Sequence, residues 1–132
     1  GFFSFVTLDE IHKKMDTLLA RDGAYLDGIY FCPHHPEKGF SGEIPELKID
    51  CECRKPAPGL IFRAATEFNI DLKNSFFIGD RYTDILAGKN AGVKTVLLKT
   101  GHAGADRDKY TVDPDYTFET LYDAVNYILE EI

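Results

Sequence analysis

Short apolar runs alternate with helical patterns in the second half of the chain, and this alternation constrains the fold more than any other feature. The runs Ser75–Ile78, Val93–Leu98 and Asp115–Phe118 have the length and the β-branched or aromatic content of strands. Apolar residues at helical spacing precede the first run, separate the first two and follow the last. Such an order forms a parallel sheet covered on both faces, with ligands at the carboxyl ends of the strands. We therefore predict a Rossmann-like α/β fold.

The first half of the chain has a different pattern. Thr7 and Glu10 fit a capping box, so a helix is expected to begin at Thr7 and to end before Gly23. A short strand is predicted over Asp27–Cys32. Residues 33–57 are rich in proline and charge, which predicts a long loop, and long loops in a compact domain usually carry function.

All three cysteines of the chain lie at the edges of this loop. Their odd number and the Cys-x-Cys spacing favour a metal site in a reducing compartment over a disulfide framework. Cys32, His34, Cys51 and Cys53 offer three thiolates and one imidazole, a tetrahedral set that suits structural Zn²⁺. The alternative is a set of unrelated thiols and loop histidines.

Two acidic residues follow the run that ends at Gly79. Asp80 comes directly after it, and Asp84 lies four residues further on, in the first turn of the next predicted helix. Carboxylates at the carboxyl end of a strand can hold a hard cation such as Mg²⁺. The alternative is that Asp80 only caps the helix.

Arg54 and Lys55 adjoin the metal loop and precede a helix. Cations are unfavourable at a helix N-terminus, so their position makes more sense if a phosphate binds there. A solvated charge pair is the alternative.

Together these residues resemble a known superfamily. Lys55, a helix and an apolar strand ending in Gly-Asp-x-x-x-Asp are similar to the third and fourth motifs of haloacid dehalogenase-type phosphatases. The Cys-Pro-His-His-Pro…Cys-x-Cys-Arg-Lys-Pro loop resembles the zinc loop of the heptose 1,7-bisphosphate phosphatases and the histidinol-phosphate phosphatases. The resemblance covers roughly residues 1–100.

The resemblance implies a role for each matching residue. Lys55 and Asp80 would be catalytic, with Lys55 neutralising the transferring phosphoryl group and Asp80 binding Mg²⁺. Arg54 and Arg81 would contact the substrate together with Lys55, and Asp84 would support the site. The four loop ligands would hold a structural Zn²⁺.

The implied activity is Mg²⁺-dependent hydrolysis of a phosphoric monoester on a small phosphorylated sugar, similar to heptose 1,7-bisphosphate. The family reaction passes through an aspartyl-phosphate, which splits one difficult displacement into two. Two alternatives stay open, namely a histidinol-phosphate phosphatase and a noncatalytic, zinc-stabilised module.

The chain departs from the family in one respect. Nothing upstream of Cys32 supplies the Asp-x-Asp-x-Thr motif of the nucleophile. The similar spelling that begins at Asp113 is rejected, because it follows the fourth motif and no apolar strand leads into it. We expect residues 1–132 to form a single, N-terminally incomplete domain with a zinc-binding loop insertion at 32–53, inactive alone. A missing N-terminal segment or another chain would complete its sheet beside residues 75–78.

Charge excludes some classes of partner. The net charge is −7 and the pI about 5.0, whereas nucleic-acid and membrane-surface binding favour a basic face. No apolar run approaches the roughly 18 residues that span a bilayer. We expect a cytoplasmic protein with a small phosphorylated substrate.

Overall fold

The computed structural model describes residues 4–35, 37–39 and 41–132. Two units are distinguished, residues 1–51 and residues 52–132. Among the described residues, no helix is long and apolar enough to cross a membrane. The prediction of a single domain stays a prediction.

The first unit begins with helix α1, Phe5–Arg21. Its N-cap is Ser4, whose Oγ accepts a hydrogen bond from the N–H of Thr7 at 3.1 Å. The predicted start at Thr7 is therefore wrong by about one helical turn. The side chain of Ser4, three residues upstream, binds an N–H group of the first turn that has no partner within the helix. A short 3₁₀ turn at Pro45–Leu47 is the other helical segment described in this unit.

The predicted strand at Asp27–Cys32 is not formed, and residues 24–35 contain neither helix nor strand. A strand needs a partner for its backbone groups, and the described part of this unit contains none. Phe31 instead lies against the rings of Phe5 and His12, with centroids 6.3 Å and 5.8 Å away. An apolar run alone was not sufficient to specify a strand.

The second unit contains the sheet. Its three strands are parallel, in the order β1-β2-β3, which confirms the predicted α/β fold. The elements, in chain order, are α2 (Gly59–Phe68), β1 (Phe76–Gly79), α3 (Tyr82–Ala91), β2 (Lys94–Leu98), β3 (Tyr116–Phe118) and α4 (Leu121–Glu131).

Helices cover both faces of this sheet. Successive side chains of a strand point to opposite faces. On one face, Leu97 of β2 forms a buried cluster with Ile85 of α3. On the other face, the neighbouring Val96 forms a second cluster with Ala124 of α4. The central strand is therefore buried on both sides, as a parallel sheet requires.

Strand β1 lies at one edge of the sheet. Phe76–Gly79 pair in register with residues 94–97 of β2, and no other described strand pairs with them. The four residues of β1 are half-buried, whereas Thr95, Val96, Leu97 and Leu98 of β2 are buried. The prediction that a further segment pairs with β1 stays a prediction.

Candidate active site

Asp80 follows β1 directly, at the carboxyl end of the sheet. Its Oδ2 accepts a hydrogen bond from the backbone N–H of His102 at 2.6 Å, and its main-chain oxygen accepts one from Gly104 at 2.8 Å. The N-cap of α3 is Arg81, not Asp80. The alternative in which Asp80 only caps the helix is therefore wrong, since its carboxylate binds a different loop.

Lys55 and Asp84 meet at the same end of β1. The ammonium group of Lys55 donates to Oδ1 of Asp84, while Oδ2 accepts from the backbone N–H of Arg81 at 3.1 Å. The Asp84 side chain is 5% exposed and that of Lys55 is 47% exposed. Asp84 thus anchors a cation whose outer side faces solvent, where an anionic ligand could reach it.

Gly79 makes this arrangement possible. A Cβ at Gly79 would overlap the side chain of Asp84, so a larger residue would displace the carboxylate that holds Lys55. The last residue of the strand is thus restricted by the packing of a charged side chain from the next helix.

Arg54 and Arg81 lie in the same unit, next in sequence to Lys55 and Asp80, and both are exposed. Their chain positions place them near the candidate site, and their role in substrate binding stays a prediction.

Asp106 was not identified from the sequence. It is buried, and its carboxylate accepts hydrogen bonds from the backbone N–H groups of Tyr82 at 2.8 Å and Thr83 at 3.2 Å. Burial would raise its pKa, but these two donors, together with its own backbone N–H and the charge of His102, outweigh burial and hold the pKa below the ordinary value of 3.8. An acidic residue 24 positions from the helix it caps carries no local signal, so no sequence pattern could have revealed it.

The predicted metal ligands come together in the loop. One ligand atom from each of Cys32, His34, Cys51 and Cys53 lies within 4.8 Å of all the others. The Sγ atom of Cys32 is 3.3 Å from that of Cys51 and 3.9 Å from Nδ1 of His34. His35 is not in the cluster, and its Nδ1 accepts a hydrogen bond from the N–H of Glu37 at 3.2 Å.

The chemistry of this cluster fits a tetrahedral metal. Zn–S bonds of about 2.3 Å place two tetrahedral sulfur ligands about 3.8 Å apart, and the sulfurs of Cys32 and Cys51, at 3.3 Å, lie slightly nearer to each other than that. None of the three cysteines is joined in a disulfide. Four soft ligands without a carboxylate suit a closed structural Zn²⁺ site better than a Mg²⁺ site.

The motif-like string at Asp113 has a structural explanation. Asp115 accepts hydrogen bonds from the N–H of Thr95 at 2.8 Å and its hydroxyl at 3.0 Å, and it pairs with Lys89 at 2.5 Å. Burial would raise the pKa of Asp115, but the Lys89 and Thr95 donors lower it overall. The carboxylate therefore links the start of β3 to β2 and α3.

A family model described as HAD-hydrolase-like matches residues 52–124, which is more than half of the chain. The match begins in the metal loop, includes Lys55, Asp80 and Asp84, and ends in α4.

Two curated relatives are phosphatases with the same name. The chain is 44% identical over 125 residues to a D-glycero-beta-D-manno-heptose-1,7-bisphosphate 7-phosphatase of Pasteurella multocida, covering 93% of the chain and 64% of that relative. It is 40% identical over 131 residues to the enzyme of that name from Haemophilus ducreyi, covering 97% of the chain and 68% of that relative. The chain thus spans about two thirds of the length of these two relatives.

A solved structure has the same fold. It is a D,D-heptose 1,7-bisphosphate phosphatase of B. bronchiseptica, complexed with magnesium and phosphate. The TM-score is 0.81 at 30% sequence identity, and the match covers 98% of this chain and 67% of the other.

Proposed function

Because the chain belongs to the HAD-hydrolase-like family, we propose that the protein containing it is a Mg²⁺-dependent phosphatase acting on a small phosphorylated sugar of the heptose 1,7-bisphosphate type. The observation that carries the proposal is the Lys55–Asp84 pair beside Asp80 at the carboxyl end of β1. The names of the similar phosphatases, and the magnesium and phosphate bound in one of them, support it.

We assign the following roles to residues of the second unit. Lys55 offsets negative charge on the transferring phosphoryl group, because its ammonium group is held by Asp84 and its side chain remains half exposed. Arg54 and Arg81 contact the phosphorylated sugar. Asp80 would supply a carboxylate oxygen to Mg²⁺, whose charge would polarise the phosphoryl oxygens.

The proposed reaction passes through an aspartyl-phosphate, as the resemblance implies. Residues 1–132 supply the groups that offset charge, and we assign the nucleophile to none of them. Asp115 does not serve as one in this proposal, since Thr95 and Lys89 already engage its carboxylate.

The loop cluster has a structural role in this proposal. Zn²⁺ bound by Cys32, His34, Cys51 and Cys53 would fix the loop immediately before Arg54 and Lys55. Thiolate ligands persist in a reducing compartment, so we propose a cytoplasmic location.

The test is an assay of the full-length protein that contains this chain. We expect phosphate release from heptose 1,7-bisphosphate that stops when EDTA removes Mg²⁺ and resumes when Mg²⁺ is restored. Preferred release from histidinol phosphate would favour the second family with this loop. No release from any phosphorylated sugar, by folded protein with Mg²⁺ present, would favour the noncatalytic module.

A further inference from the structure

We propose that Asp106 is a positioning residue that holds Asp80 in its metal-binding conformation through residues 101–106, which follow β2. The inference rests on the proposed function, because it takes Asp80 to be the Mg²⁺ ligand. Its basis is a network of hydrogen bonds between this segment, Asp80 and the start of α3.

Asp106 fixes the start of α3. Its buried carboxylate accepts from the N–H groups of Tyr82 and Thr83, the first two residues of the helix. The first of these amides follows Asp80 after one intervening residue and the second after two, so the cap determines how the chain leaves Asp80. The helix N-terminus attracts an anion, and here that anion belongs to the protein itself.

The same segment binds Asp80 at two points. The N–H of His102 donates to the carboxylate at 2.6 Å, and the N–H of Gly104 donates to the main-chain oxygen at 2.8 Å. Asp80 is thus held by its side chain and its backbone, and Asp106 secures the other end of the holding segment. Groups that orient a metal ligand in this way typically change metal affinity about 10- to 100-fold when they are removed.

Two glycines let the segment approach closely. Gly101 has φ +61°, and a Cβ there would overlap Oδ2 of Asp80. Gly104 has φ +71°, and its Cβ would lie 2.9 Å from the ring of Tyr82. The segment therefore contacts both Asp80 and the first residue of α3. Asp106 can act on Asp80 through these contacts.

The first test removes the cap. Asp106→Asn keeps the shape of the side chain but loses the charge, and Asp108→Asn is a matched control that removes the same charge from an exposed position in the same turn. We expect Asp106→Asn to weaken Mg²⁺ binding at least about tenfold, measured by calorimetry with the metal alone. It should also lower hydrogen-exchange protection of the Tyr82, Thr83 and His102 amides. Asp108→Asn should match the wild type in Mg²⁺ affinity and in the exchange protection of these three amides.

The second test leaves Asp106 in place. Gly101→Ala puts a methyl group where the Asp80 carboxylate lies, whereas Gly92→Ala adds one at a similar positive φ with open space around it. Both variants carry the same kind of backbone strain. We expect Gly101→Ala alone to weaken Mg²⁺ binding at least about tenfold, because only there does the added group displace a metal ligand.

Wild-type Mg²⁺ affinity in folded Asp106→Asn, even with a lower Tm, would overturn the inference, since it would leave Asp106 a merely structural role. If Asp106→Asn does not fold, equal Mg²⁺ affinities of the two glycine variants would overturn it.

If the wild-type protein binds no Mg²⁺, the proposed function fails separately. The exchange data then still decide the coupling, and an unchanged His102 amide in Asp106→Asn would refute it.

Discussion

At the scale of single residues, the candidate site depends on charges brought together from distant positions. Lys55 and Asp84 are 29 residues apart in sequence, yet they form an ion pair. The sequence pattern predicted both as candidate site residues, together with Asp80, because they lie near element boundaries where ligands gather, and their roles stay a prediction. It did not identify Asp106, because a cap supplied from 24 residues away leaves no local spacing to detect.

The role of Lys55 can be tested by removing its charge. On the proposed function, Lys55→Ala should lower phosphate release by the full-length protein by about 100-fold or more, because a group that offsets charge at the phosphoryl oxygens is lost. Lys73→Ala is the control, since Lys73 is exposed in the short turn before β1, at the opposite end of that strand. Equal turnover of the two variants would refute the assignment of Lys55.

Acid should destabilise the second unit in a specific way. The pKa of Asp106 is lowered in the folded state, so its ionised form stabilises the fold above the unfolded pKa of about 3.9. That contribution is lost as pH falls from this value through the lower folded pKa. We expect the unfolding free energy, measured in urea, to decrease below about pH 4.

The control for this pH dependence is again a pair of variants. Asp106→Asn should make the decrease below about pH 4 smaller, because only the contribution of Asp106 is lost, and Asp108→Asn should keep the full decrease. Parallel pH curves for the wild type and Asp106→Asn would show that the ionised carboxylate of Asp106 does not stabilise the fold.

At the scale of elements, helices and strands in the second unit follow the sequence prediction closely, because the apolar face of each packs against a neighbouring helix or strand. The strand predicted at Asp27–Cys32 fails because pairing is a property of two segments, and a single run cannot show whether a partner exists. The start of α1 differs because both Ser4 and Thr7 can cap a helix, and spacing alone does not rank them.

The metal loop gives a prediction at this scale. Cys51→Ser should abolish binding of the single Zn²⁺ equivalent, because one of four ligands is lost. Phosphatase activity should fall with it, since Cys53 lies two residues before Lys55. Elemental analysis of protein purified without chelator measures the zinc directly.

His35→Ala is the matched control, because His35 lies next to the ligand His34 but outside the cluster. We expect it to retain zinc. Less than about a tenth of an equivalent of zinc in the wild-type protein would contradict the site.

At the scale of the whole molecule, the chain combines 22 acidic with 15 basic residues, yet the proposed substrate is an anion. Local geometry resolves this, because Lys55 is held at the carboxyl end of β1 and a bound metal would add further positive charge there. Net charge disfavours nucleic-acid and membrane-surface partners, but it does not indicate where an anionic substrate binds. The position of the site depends on which residues the fold brings to the carboxyl ends of the strands.

The most direct test of the central claim is a crystal structure of the full-length protein with Mg²⁺ and inorganic phosphate. The account predicts Mg²⁺ about 2.1 Å from a carboxylate oxygen of Asp80, and a phosphate within hydrogen-bonding distance of the Lys55 ammonium group. Mg²⁺ and phosphate bound away from Asp80 and Lys55, with both side chains ordered, would contradict it.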